Sequence, residues 1–410
     1  MPAALEGIRV LDLSQGAAGP IAGMMLGEYG AVVIKVDPPG GEWGRGLGPP
    51  FIEGQAAAYC GMNRGKRSLV VDLKHPEGAT VVRELVQRCD VLLESFRPGV
   101  LDRLGVGYAA LAADRPELVY CAITAFGQEG PWRDKPGVDG IVQAMSGIMS
   151  VTGERDGGPV KVGVPAADTL AGILAAQGVL LALLARARSG RGQRVDVSLF
   201  DAMLMFQTVP WSMFLASGTS PGRQGSAAPY AAPNEAYPTR DGHIMIAAYW
   251  PDRWRRLLAV LELPELAADP RFVSVADRVT HRAELGERLA DRLRTRTTAE
   301  WLAALEAADI VCAPILDYAA LAERSEVMTP ERFPSVRHPV LGPVPGVGMP
   351  ARLSATPPRP GAAAPLPGEQ TTEILAEMGV PPARIRGWLE SGAVSQWHRP
   401  GEGGETAWAS

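Results

Sequence analysis

The sequence predicts an α/β protein built on a parallel sheet. Two observations lead there. Through the first half of the chain, short apolar runs rich in β-branched residues alternate with helical stretches of about a dozen residues, the pattern of βαβ units. Glycine and proline are abundant, 47 and 36 residues, and many fall where one run hands over to the next. With 46% hydrophobic and 21% charged residues, the 410-residue chain holds material for a large core and is not of disordered type. Its length suggests two to three domains at about 100–200 residues each.

The elements follow in order. Ile8–Leu13 is a first strand, followed by a glycine-rich turn, Gln15–Gly19. Pro20–Gly30 reads as a helix with proline near its start and glycine at its end. Ala31–Val36 is a second strand, closed by Asp37-Pro38-Pro39-Gly40-Gly41. Ser68–Leu73, Val91–Leu93, Leu118–Ile123 and Val195–Leu199 continue the strands, with a helix at Pro76–Arg88. Asp168–Ser189 is one long helix, apolar nearly all round, which predicts a buried element. A loop-rich stretch runs from Ser217 to Pro238. A smaller unit begins at Gly242, with Arg-, Glu- and Leu-rich helices at Asp252–Leu261, Arg282–Arg294 and Thr298–Ala308, whose charges read as solvated faces. Residues 340–367 form a proline- and glycine-dense connector, before two short helices at Thr371–Met378 and Pro382–Glu390. The tail from His398 to Ser410 is expected to fray.

Composition excludes several classes. The net charge is −5, with no basic stripe to attract nucleic acid. The longest apolar stretch, Leu170–Ala185, is short and interrupted by glycine, so no membrane span is expected. No basic start followed by an apolar block marks a signal peptide. Cys60, Cys89, Cys121 and Cys312 form no CxxC pair, and the five histidines show no ligand spacing. Free thiols in a cytoplasmic protein without a metal site are the expectation.

Five features can carry chemistry. The opening strand, turn, helix and strand, with Asp37 at the end, has the layout of a dinucleotide-binding unit, yet Gly16, Gly19 and Gly23 do not spell G-x-G-x-x-G. A nicotinamide-dependent dehydrogenase is therefore a remote alternative to a close-packed turn, or to one holding another nucleotide-containing ligand. Asp168 opens a helix, where it can serve as an N-cap or as an ionised carboxylate nucleophile. Asn63-Arg64-Gly65-Lys66-Arg67-Ser68 concentrates cations before a strand, a phosphate-binding corner or a solvated loop. Ser95-Phe96-Arg97 and Arg103 follow a strand end, where ligands bind in open α/β sheets; the arginines can meet anions or pair with Asp102 and Glu94, and Phe96 can stack on a flat ring. Phe126–Asp139 is a turn-rich loop carrying Lys135 and Asp139; Asp139 and Asp168 can work as a carboxylate pair where they converge, which spacing does not decide.

In this order, Ala18-Gly19-Pro20, Val33-Ile34-Lys35-Val36, Asn63–Ser68, Phe96-Arg97-Pro98-Gly99, Phe126–Pro131, Gly190–Val197 and Thr239-Arg240-Asp241-Gly242 resemble the class III CoA-transferases, the formyl-CoA and carnitine CoA-transferase group. The resemblance spans nearly the whole chain. It implies a Rossmann-like large domain with an inserted smaller α+β domain and an interlocked homodimer. The domains would be residues 1–215, a small domain at 225–325, and 326–410 returning to the large one. It implies Asp168 as nucleophile, passing through a mixed anhydride and an aspartyl-CoA thioester. Coenzyme A would be a substrate, not a permanently bound cofactor. Its contacts would be Ala17, Ala18, Asn63, Arg64, Gly65, Lys66, Ser95, Phe96, Arg97, Arg103 and Lys135, with Asp139 beside them; the partners would be an acyl-CoA and a carboxylic acid. The chain departs from the formyl-CoA transferases at Pro38, at Ser95 and in lacking a glycine run between Gly225 and Tyr237, which argues against formate or oxalate. The α-methylacyl-CoA racemases of the same fold carry Gly-His-Asp where this chain has Gly137-Val138-Asp139, and valine moves no proton. Racemase, isomerase and lyase chemistry on CoA esters remain the alternatives.

Overall fold

The computed structural model describes residues 1–397, so the expected fraying from His398 on lies outside the described residues. Two compact units are present. One comprises Met1–Ser146, Gly163–Thr208 and the chain from Met328 on; the other comprises Gly147–Val162 and Val209–Val327.

The first unit is a seven-stranded sheet. Six strands run parallel: β1 (Arg9–Asp12), β2 (Val32–Asp37), β3 (Lys66–Val71), β4 (Val91–Glu94), β5 (Val119–Thr124) and β6 (Arg194–Ser198). The order is β3-β2-β1-β4-β5-β6, and the short strand Val394–Ser395 adds antiparallel outside β3. Alternation sorts the strand residues by face. Leu11, Leu13, Ile34, Val36, Leu69 and Val71 join one core with Val81, Val82, Leu85 and Val86 and with Ile374, Leu375, Ile385 and Trp388 of the C-terminal helices. Asp12 turns to the other face, where α1 (Ala18–Glu28) brings Gly23 so close that a Cβ there would lie 2.8 Å from the Asp12 carboxylate.

Short α3 (Asp139–Met145) and long α4 (Ala166–Ser189) complete this face, taking α2 as Gly78–Val86 in the first core. α4 ends at left-handed Gly190, whose N–H bonds to Arg186 O at 2.8 Å. The expectation of a helix buried all round is corrected. Only its small-residue stripe, Ala167, Ala171, Gly172, Ala175, Ala176, Val179 and Ala182, is buried. Ile173, Leu180, Leu181 and Leu184 stay exposed, Leu181 at 59%. By length and composition α4 could cross a bilayer; its alanine and glycine stripe is instead packed inside this unit. At Gly172 a Cβ would come within 2.6 Å of Ala18 O, so α1 and α4 cross in close contact there. The connector is also corrected in part: Ser335–His338 and Gly342–Pro345 pair as a hairpin before the chain runs on without regular structure.

The second unit has an antiparallel three-stranded sheet of β7 (Asn234–Pro238), β8 (His243–Ala247) and β9 (Val311–Pro314), with β8 central. Ile244 and Ile246 of β8 are buried and meet Trp254, Leu257, Leu258 and Leu261, the i, i+3, i+4, i+7 face of α5 (Pro251–Leu261). α6 (Arg282–Leu293) adds Leu285, Leu289 and Leu293, and α7 (Thr298–Ala307), started by a Thr297–Glu300 capping box, adds Trp301 and Leu305.

Candidate active site

The chain steps from β1 to β2 and β3 on one side, then returns to place β4 on the other. Strand order thus reverses between β1 and β4, and open α/β sheets bind ligands at the carboxyl ends of such a pair. A cavity of ≈ 260 Å³ opens there. Its walls are the turn Gln15–Ala18 after β1, the segment Ser95–Pro98 after β4, Thr124 and Ala125 at the end of β5, the loop Arg133–Val138, Trp43 and Asp168.

Buried charges hold the turn after β1. Asp12 Oδ1 accepts the Ser14 N–H at 3.0 Å and also the Ser14 hydroxyl. Lys35 Nζ donates to Ser14 O at 2.6 Å, and the Gly16 N–H donates to Glu42 Oε2 at 3.0 Å. Ser95 ties this turn to β4: its Oγ accepts the Gln15 N–H at 2.8 Å and donates to Gln15 O at 3.2 Å. Gly16 has φ +82, and a Cβ there would lie 2.7 Å from the Trp43 indole; only glycine permits both this backbone and so close a ring. α1 then starts at the cavity wall. No side chain caps it, and Pro20 in its first turn has no N–H, so the N–H groups at its start lack a side-chain acceptor while Ala17 and Ala18 line the cavity.

Asp168 stands in the first turn of α4, and the N-cap expectation is corrected. The cap position is Pro165, which makes no side-chain bond, and Asp168 is the third helical residue. Capping passes to Asp139, whose Oδ1 accepts the Ala167 N–H at 2.8 Å while Oδ2 accepts Gln143 Nε2 at 2.8 Å. The two aspartates therefore do converge, with Asp139 engaged by bonds. Asp168, one turn ahead of the Gly172 crossing, lines the cavity together with Ala17 and Ala18. Burial, then the Asp139 carboxylate, pushes the Asp168 carboxyl from 3.8 to about 6. The positive end of the helix dipole opposes this rise, and burial outweighs it.

Of the residues singled out above, Ala17, Ala18, Ser95, Phe96, Arg97, Lys135 and Asp168 meet at this cavity. Asp139 lies behind Asp168. The Asn63–Lys66 corner is elsewhere, and its cations are already matched. Lys66 Nζ bonds Asp12 Oδ2 at 2.7 Å and Asn63 Oδ1 at 2.8 Å. Arg64 bonds Glu28 at 2.7 Å and Val347 O at 2.8 Å, and the Gly65 N–H meets Ala362 O at 2.7 Å. This corner anchors the C-terminal chain and holds buried carboxylates rather than an exposed anion. Arg103 is exposed and outside the cavity wall. Asp37, the ribose-binding position of a dinucleotide unit, is enclosed by Arg45 at 2.7 Å and the Ser68 hydroxyl at 2.6 Å.

Gln15, Trp43 and Arg133 were missed by the sequence reading, as was a second cavity of ≈ 490 Å³ lined by the ends of β1, β2 and β3, including Pro38, Leu73 and Lys74. Gln15 and Phe96 border both cavities. The signal for Lys74 was available: it lies three residues past β3, on the ligand-binding edge. Among the described residues no group of His, Cys, Asp and Glu could hold a metal ion. The arrangement offers a half-buried carboxylate, uncapped helix N–H groups and the cations Arg97, Arg133 and Lys135 around one space.

Residues 5–371 match CoA-transferase family III. The chain is 39% identical over 381 residues to the succinate–glutarate CoA-transferase of Agrobacterium fabrum, covering 91% of this chain and 95% of that protein. It is 36% identical over 387 residues to the succinyl-CoA:mesaconate CoA-transferase of Haloarcula hispanica, covering 92% and 97%. Among solved structures, a CaiB/BaiF family protein from Brucella suis superposes with a TM-score of 0.83 at 37% identity, covering 92% of this chain and 100% of that one. The chain belongs to CoA-transferase family III.

Proposed function

We propose that this protein moves CoA from an acyl-CoA donor to a carboxylic acid acceptor, with Asp168 as the nucleophile. The observation that carries the reading is Asp168 itself: a carboxylate partly withdrawn from water, facing a cavity with cations and uncapped helix N–H groups. An Asp168 oxygen attacks the thioester carbonyl carbon, the C–S bond breaks, and a mixed anhydride and CoA thiolate result. The thiolate attacks the aspartyl carbonyl of the anhydride and releases the donor acid, leaving an aspartyl-CoA thioester. The acceptor carboxylate runs these two steps in reverse and frees Asp168. The N–H groups at the start of α1 suit the oxyanion of each addition, and the cations suit the phosphates and carboxylates. A raised proton affinity makes the Asp168 anion more basic while leaving it ionised at neutral pH. Exclusion of water conserves the thioester energy across the exchange.

CoA is long, and the two cavities bordered by Gln15 and Phe96 give it an extended seat along the strand ends, with Lys74 near the far one. The acyl group is that of a short dicarboxylic acid: relatives are named for succinate, glutarate and mesaconate, and the Arg133–Lys135 segment can meet a second carboxylate. Val138 in place of a base disfavours two-base racemisation. The exposed stripe Ile173, Leu180, Leu181 and Leu184 fits a homodimer in the cytoplasm, which light scattering would test. The functional test is a panel of acyl-CoA donors, succinyl-CoA first, against mono- and dicarboxylic acids. Wild type should exchange CoA and give a hydroxylamine-trappable adduct on Asp168; Asp168→Ala should do neither. Exchange persisting in Asp168→Ala would remove Asp168 from the mechanism.

A further inference from the structure

Glu94 is the last residue of β4 and is 5% exposed. Its Oε2 accepts the Phe96 N–H at 2.7 Å, and its Oε1 lies 3.5 Å from the Tyr120 hydroxyl, at the limit of a hydrogen bond. Its surroundings are mostly apolar. Tyr120 of β5 packs edge-on against Tyr108 at 5.7 Å, and both join the core that holds Leu92. A carboxylate here is a costly way to end a strand, because burial disfavours its charge. What it supplies is a charged acceptor for a single backbone donor. That donor belongs to Phe96, whose side chain borders both cavities, and the next residue is Arg97, a cation of the catalytic cavity.

We propose that Glu94 is a positioning residue: its carboxylate holds the Ser95–Phe96–Arg97 corner in the form that receives the CoA ester. This rests on the CoA-transfer reading above. The corner is also held at its two ends, by the Ser95–Gln15 bonds and by the Val100 N–H, which donates to Arg97 O at 3.1 Å, and Phe96 packs against the main core; loss of the Glu94 bond therefore loosens the Phe96 backbone between two held ends. The grip is sensitive to protons. Burial pushes the Glu94 carboxyl up to about 7. The groups facing it are the Tyr120 hydroxyl from β5 and Arg194 and Asp196 from β6, with Asp102 facing Tyr120. Arg194 and Asp196 pair with each other at 2.8 Å, so Asp196 offsets part of the Arg194 attraction, and burial dominates. Protonation replaces a charged acceptor by a neutral one and weakens the bond to the Phe96 N–H. CoA-ester binding should therefore loosen as pH falls through neutrality.

The test uses the full chain with Glu94→Gln and Glu94→Ala. Gln keeps an oxygen for the Phe96 N–H and cannot titrate. In wild type, KM for the acyl-CoA should rise about tenfold from about pH 8 to about pH 6, the loss of one charge-assisted bond. In Glu94→Gln the KM should be flat over that range and close to the low-pH wild-type value, with kcat retained. In Glu94→Ala it should be about tenfold or more above wild type at every pH. A second arm measures binding of free CoA by calorimetry in the Asp168→Asn background, which removes the Asp168 titration and needs no turnover. If the wild type lacks exchange activity but CoA binding follows the predicted pH course and loses it in Glu94→Gln, the positioning role stands and the transfer reading fails. A KM inflection near neutrality that persists in Glu94→Gln, or a loss confined to kcat in both variants, overturns the proposal.

Discussion

Replacing Asp168 by Asn should make the fold more stable while it removes activity. The carboxyl sits at about 6 in the folded chain against 3.8 when freely solvated, because burial and Asp139 disfavour its charge. A carboxyl with a raised folded value lends its full stability below the unfolded value and loses it as pH rises through the folded one. At pH 8 the ionised wild type thus carries a cost of about 3 kcal/mol from the two values, at about 1.4 kcal/mol per tenfold change in proton affinity. Solvent in the open cavity screens part of it, leaving about 1–2 kcal/mol as the expected gain for Asn. The gain should shrink to about half at pH 5 and vanish below about pH 3, since both states then hold the proton. Urea denaturation of wild type and Asp168→Asn at pH 8 and pH 5 reads this directly, and other titrating groups cancel in the difference. A variant less stable than wild type at pH 8, or a difference that does not narrow at pH 5, would refute the claim that this carboxylate is held at a cost.

Four further outcomes follow from the same geometry. Exchange activity should fall as pH drops through about 6, where Asp168 takes its proton, and this limb should be read in the rate of adduct formation. Gly172→Val should push α4 off Ala18, costing about 1–3 kcal/mol by thermal melting and reducing kcat together with stability; an unchanged melt would contradict the close crossing. Lys66→Met should destabilise by about 3–5 kcal/mol by leaving Asp12 buried without its partner, whereas the Asp12→Leu, Lys66→Met pair should recover much of that loss in a double-mutant cycle. Ser95→Ala should unfasten the Gln15 backbone, costing about 1 kcal/mol and raising the KM for acyl-CoA.

The sheet was legible because its strands are short apolar runs rich in β-branched residues that alternate with helices, and every parallel strand lies within a few residues of its expected place. The resemblance marked Asp168, but its spacing in sequence could not tell a cap from a third helical residue; the cap turned out to be supplied by Asp139, 28 positions before the Ala167 whose N–H it accepts. Arg64 and Lys66 misled for a general reason. Cations beside glycine look alike in sequence whether they face solvent or buried carboxylates, and Asp12 and Glu28, which claim them, lie in distant segments. Trp43 was invisible because its role depends on a missing Cβ at Gly16. Glu94 was read only as a partner for arginine, since a carboxylate that grips a backbone N–H two residues on leaves no trace in spacing.

The antiparallel strand Val394–Ser395 that closes the sheet beyond β3 sets a schedule for synthesis. Until residue 394 has been made, β3 presents an unpaired edge, and the seat for Trp388 in the main core stands empty. The Gly65 N–H and the Arg64 guanidinium likewise wait for Ala362 O and Val347 O. The large unit can therefore close its sheet only after the second unit and residue 394 have been made, so the interval with an open edge lengthens with slow translation of the second unit.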